Sequence, residues 1–153
     1  MFVPIEKARY QLATIWFAAF GLIFLCLIVM TSTPRLGAES ARIWNWALPN
    51  FVPTLGLMTS VLGASAIQSK RSKEQKVRRA FCRLAVGISV FYVLVLLLVL
   101  LMPSINWWMG VETPTGPKIV SHLENSTIFM GPLQGIVIAA MGFLFFVRED
   151  SDA

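Results

Sequence analysis

Charge is scarce in this chain. Only 14% of its 153 residues are Asp, Glu, Lys or Arg, where a soluble domain carries about 25%. Histidine occurs once and cysteine twice. A single histidine excludes a bis-histidine haem bundle and a histidine-rich metal centre, and two cysteines exclude a secreted disulfide framework. The remainder is apolar: 56% of residues are hydrophobic and the mean hydropathy is +0.69. That composition points to an integral membrane protein.

The charges are also segregated. None occurs in Tyr10–Pro34, Ile43–Ser69, Leu84–Val111 or Asn125–Val147, so all 21 fall in the other 50 residues. Each window is long enough to cross hydrocarbon about 30 Å thick at 1.5 Å per residue. A bilayer enforces such segregation, since Asp, Lys or Arg at a helix centre costs roughly 2.5–3.5 kcal/mol on insertion scales. The expectation is an all-α integral membrane four-helix bundle, a single four-span domain over residues 1–153. Its helices are placed at about 11–31, 48–68, 80–102 and 128–147. The first apolar run, Leu12–Met30, spans 19 residues against about 7–15 for a signal-peptide core, so it reads as a retained helix.

Orientation follows from the basic residues. Lys70, Arg71, Lys73, Lys76, Arg78, Arg79 and Arg83 crowd the connection 69–83, with Lys7, Arg9 and Arg148 on the same side of a four-span chain. Arg35, Arg42 and Lys118 fall on the other. The positive-inside rule then places both termini and the basic connection in the cytoplasm. Attraction of cations to anionic lipid headgroups accounts for that connection without a nucleic-acid partner. It reads as a short helix continuous with helix three, Val77 and Phe81 sharing an apolar side. Trp44, Trp46, Trp107 and Trp108 lie at the opposite ends of the spans, where indoles anchor to the interface.

Small residues mark the packing faces, because in lipid close helix approach depends on them. Gly131, Gly135 and Ala139 repeat every four residues on helix four, with Gly142 and Gln134 beside them. Gly56, Ser60 and Ala64 do the same on helix two. These stripes either close the four-helix monomer or join protomers; Gln134, an amide inside the stripe, suits an interhelical hydrogen bond. Helices two and four are expected to cross closely. Helix three, bulky on every side from Phe91 to Met102, is expected to be the most lipid-exposed. Pro132 is placed in the first turn of helix four, where a missing N–H does no harm.

Tests for chemistry are mostly negative. No ionisable residue lies in the core of a span, which argues against a proton-coupled transporter. No nucleophile and base pair suggests an enzyme, so no catalytic, cofactor-binding or metal-binding residue is assigned. Cys26 and Cys82 belong near opposite leaflets and should not pair, and His122 stands in a loop. That loop, residues 103–127 on the non-cytoplasmic side, includes a turn at Pro114–Pro117, an Ile119-Val120 pair able to form a short strand, and a glycosylation sequon at Asn125-Ser126-Thr127. The ending, from Phe129-Met-Gly-Pro-Leu-Gln-Gly135 through an apolar span to Arg148-Glu149-Asp150, resembles the endings of bacterial membrane proteins and implies a bacterial inner membrane. The expected role is a non-enzymatic membrane subunit or anchor, as a homo-oligomer or in a larger membrane complex. The alternative is an oligomeric pore or membrane-disrupting effector built from the small polar faces of helices two and four.

Overall fold

The computed structural model describes residues 2–34, 36–67, 76–111, 113 and 115–146. Among them the chain is all-α apart from one minimal strand pair. The elements are β1 (Phe2–Pro4), α1 (Ile5–Thr31), α2 (Ser40–Ile67), β2 (Lys76–Arg78), α3 (Arg79–Trp108) and α4 (Gly116–Phe146), with a 3-10 turn at Gly37–Glu39 before α2. Two stretches are long and apolar enough to cross a membrane, Arg9–Thr31 and Ala80–Trp108.

Each helix is longer than the apolar pattern predicts, and local chemistry explains the ends. At the end of α1, the Thr31, Ser32 and Thr33 hydroxyls donate to the carbonyls of Leu27, Ile28 and Met30 at 2.7 Å each, adding to the backbone bonds from the Ser32 and Thr33 N–H groups to Ile28 and Met30. α3 runs past Met102 to Trp108 and stops at Gly110, whose φ of +71° suits only glycine without strain. There the Gly110 N–H reaches the Trp107 carbonyl and the Val111 N–H the Asn106 carbonyl, both at 3.0 Å, the paired bonds of a glycine-terminated helix.

These extensions correct three sequence expectations. Most of the 103–127 loop is helical, leaving a short connection between Trp108 and Gly116. Ile119 and Val120 are buried helix residues of α4 and form no strand. Pro132 lies well inside α4, where its missing N–H costs the bond to the Ile128 carbonyl. The basic connection also differs: Val77 belongs to β2 and pairs with Val3, so it shares no helical face with Phe81.

The packing order comes from contacts along the helices. α1 packs on α2 and α3, and α4 packs on the same two, so α2 and α3 lie on one diagonal. The β1–β2 pair joins the starts of α1 and α3, which makes those helices parallel. Arg42 bonds Glu124 and Trp46 bonds Ser126, which makes α2 and α4 parallel to each other and opposed to the first pair.

Buried positions recur at alternating steps of three and four. On α3 they are Cys82, Ala85, Ser89, Tyr92, Leu96 and Val99, and on α4 Ile119, Leu123, Ser126, Met130 and Val137 continue the rhythm. That spacing is the one by which neighbouring helices interlock side chains at shallow angles. α3 therefore has a wholly internal face, correcting the expectation that it is the most exposed helix. Its other face, with Phe91, Leu94, Leu98 and Leu101, is open. α2 and α4 do pack side by side, as expected, but not through their small residues.

Candidate functional site

Two features stand out: small-residue faces turned outward and a polar seam turned inward. On α4, Gly131, Gly135 and Ala139 are exposed and Gly142 is half-buried. On α2, Gly56 and Ser60 are exposed, while the side chain of Ala64 lies outside what is described. A Cβ built on Gly56, Gly131, Gly135 or Gly142 would meet nothing within 4 Å. Of the two roles open to these stripes, closing the monomer has no contact to carry it at those positions. The Thr59 and Ser60 hydroxyls donate to the carbonyls of Leu55 and Leu57, at 2.7 and 2.9 Å.

The inward seam lies beside an exposed interruption of α2. Pro49 and Pro53 both lie inside that helix, and because Pro53 has no N–H, the Pro49 carbonyl loses its partner four residues on. Gln134 of α4 supplies the replacement, its Nε2 donating to that carbonyl at 2.7 Å. The interhelical bond expected of Gln134 is thus formed, with a backbone acceptor created by a proline. Replacing Gln134 with Leu is expected to cost up to about 1 kcal/mol by removing this bond between α4 and α2. Reversible unfolding in mixed micelles would measure it, and a Gln134→Leu variant as stable as the parent would show the bond to be idle.

One residue further, Asn50 is buried and donates through Nδ2 to the Trp46 carbonyl at 2.7 Å. Tyr92 crosses from the diagonal helix to donate its hydroxyl to the Asn50 carbonyl at 2.8 Å. Its ring stacks on Trp16 of α1, centroids 5.7 Å apart. The aromatic line continues along α1, with Phe20 meeting Phe51 and Phe24 meeting Trp44 edge-on at 5.3 and 5.2 Å. Sequence reasoning passed over Asn50. The available clue was an amide between two prolines in a window free of charge.

The remaining predicted residues divide. Trp107 and Trp108 are exposed, whereas Trp44 is half-buried and Trp46 is a core residue whose indole N–H donates to the Ser126 hydroxyl at 3.1 Å. Trp46 is therefore not positioned as a lipid-facing anchor. The sequon at Asn125 lies within α4, with Ser126 buried and its hydroxyl donating to the Leu123 carbonyl. Lys70, Arg71 and Lys73 lie outside the described residues; Lys76 and Arg78 belong to β2, Arg79 opens α3, and Arg83 is exposed. Cys26 and Cys82 are both free thiols.

At the far end, Arg42 holds Glu124 through a two-pronged bridge, closest at 2.8 Å, and also reaches Glu39 at 3.1 Å. Donation of its N–H groups to the Glu124 carboxylate is the main reason the guanidinium binds its proton even more firmly than usual. The pair is solvent-exposed, so it fixes the register of α2 against α4 more than it adds stability. Among the described residues no three of His, Cys, Asp and Glu gather as a metal centre requires. No protein-family model, curated protein or solved structure matches this chain.

Proposed function

We propose that the protein is a four-span membrane subunit or anchor of a bacterial inner membrane, with both termini cytoplasmic. It works by helix packing, its glycine faces receiving a second copy of the chain or another membrane subunit. The observation that carries the reading is the inverted distribution of polarity. Outward positions hold Phe17, Leu22, Leu25, Val52, Phe91, Leu94, Leu98 and Ile136, while Asn50, Thr54, Ser89 and Tyr92 are buried. Of the two most apolar stretches only 33% and 39% is buried. The core helix of a soluble protein would be buried over most of its length, and water does not tolerate apolar surface so extended.

Strand pairing supports the path of the second helix. β1 precedes α1 and β2 follows α2, yet the two are hydrogen-bonded. If α1 crosses the bilayer, α2 must therefore return across it. α2 has lower hydropathy because it carries Pro49, Asn50, Pro53 and Thr54, of which Asn50 and Thr54 face the interior. The charge-free stretch of α4 runs from Asn125 to Val147. Lys76–Arg78 pair with the start of the chain, and the cationic sequence of the connection 69–83 fits a surface of anionic headgroups.

Outward glycines favour association, since without a Cβ another backbone can approach closely. The Thr59 and Ser60 hydroxyls bond within their own helix and Gln134 is held by Pro49, which supports a packing face over a water-lined pore. The test is the mass of the purified protein in nanodiscs beside a Gly135→Leu variant. Open space at Gly135 means the leucine should leave the monomer fold intact. A defined oligomer lost in the variant is the expected result. An oligomer that survives moves the contact off this stripe, and a monomer in both cases removes self-association.

A further inference from the structure

Three polar groups deep in the bundle have no hydrogen-bond partner among the described residues: the Trp16 indole N–H and the hydroxyls of Thr54 and Ser89. They are 2%, 0% and 1% exposed. A buried donor left unpaired carries its full desolvation penalty, so three at once call for a partner the protein itself does not supply.

Their positions coincide in depth. Thr54 follows Asn50 by four residues on α2, and Ser89 precedes Tyr92 by three on α3, so each shares a helix face with its neighbour. Asn50 and Tyr92 are bonded across the interior. Since α2 and α3 run in opposite directions, both steps lead toward the β1–β2 end. The two hydroxyls thus occupy one level on diagonal helices, a turn beyond the Tyr92–Asn50 bond. Trp16, stacked on Tyr92, brings its indole to the same region from α1. Two of the nearby buried side chains on α1 and α3 are small, Ala13 and Ala85.

We propose that Trp16, Thr54 and Ser89 together hold a buried water molecule that ties α1, α2 and α3 at mid-bundle. The donor set fits water. An indole N–H only donates, whereas a hydroxyl both donates and accepts. A water accepting from Trp16 and one hydroxyl while donating to the other makes three bonds, typical of internal waters. An ion is a poorer match, because all three groups lie inside windows that contain no charged residue.

The experiment is magnetization transfer from water to the five indole N–H groups of the 15N-labelled full chain in nanodiscs, with Trp16→Phe identifying the resonance. A membrane-impermeant paramagnetic chelate in the buffer reports exposure separately. The expected result is water transfer to Trp16 without broadening by the chelate, lost in Thr54→Val or in Ser89→Ala. Absence of transfer in the parent overturns the proposal. So does transfer that persists unchanged in both variants, or a Trp16 signal broadened by the chelate. The parent spectrum decides the first question even if a variant fails to fold.

Discussion

Trp16→Ala is expected to be the most damaging truncation in the bundle, with a loss of about 3 kcal/mol. The indole is almost wholly buried and stacked on Tyr92, and Tyr92 in turn holds the diagonal helix through Asn50. The figure sits at the lower edge for aromatic truncation for a physical reason. If the bundle sits in a bilayer as proposed, the indole of the unfolded parent meets lipid as apolar as the core, so the transfer component shrinks and the lost packing remains. Trp108, 87% exposed, provides the control, since its replacement by Ala should change stability by less than about 0.5 kcal/mol. Unfolding of both variants by an increasing fraction of denaturing detergent measures the difference. Equal losses would mean that the Trp16–Tyr92 stack is not a keystone of the interior.

Leu94→Arg or Leu98→Arg should have the second large effect, and here the sign separates two environments. Both leucines are 58% exposed on the open face of α3. At a water-facing surface such a change would be nearly neutral. In hydrocarbon near a helix centre it should cost roughly 2.5–3.5 kcal/mol, lowering membrane-inserted protein by a factor on the order of 100. Val52→Arg and Ile136→Arg, on exposed positions of α2 and α4, put the same question to the two less apolar helices. A matching collapse in the membrane fraction is expected for all four variants. Tolerance of Val52→Arg and Ile136→Arg beside failure of Leu94→Arg would reduce the protein to two spans, with α2 and α4 outside the hydrocarbon.

Much of the architecture was legible in the sequence because charge placement is a strong constraint. Four charge-free windows gave four helices, and the order of the chain already set the connection 69–83 on the side of the N-terminus. Helix ends were harder to read. Hydropathy stops at the edge of the apolar run, whereas the helix continues wherever backbone groups find partners, as α3 does to Trp108 and α4 does from Gly116. Pro132 was misplaced for that reason: the apolar pattern begins near Ile128, twelve residues after the helix does.

Inward and outward faces were not legible by the rule applied. The sequence determined that the helices are apolar almost all round, with glycines spaced to admit a close neighbour. It carried no contrast between the outward and the inward side of each helix, because both are lined largely by apolar residues. Only the tertiary structure decided that Tyr92, Trp16, Thr54 and Ser89 turn inward while Gly131 and Gly135 turn out. That choice is made by partners from helices distant in the chain: Gln134 takes the Pro49 carbonyl freed by Pro53, and Tyr92 takes the Asn50 carbonyl. Such pairings exist only once the helices are side by side.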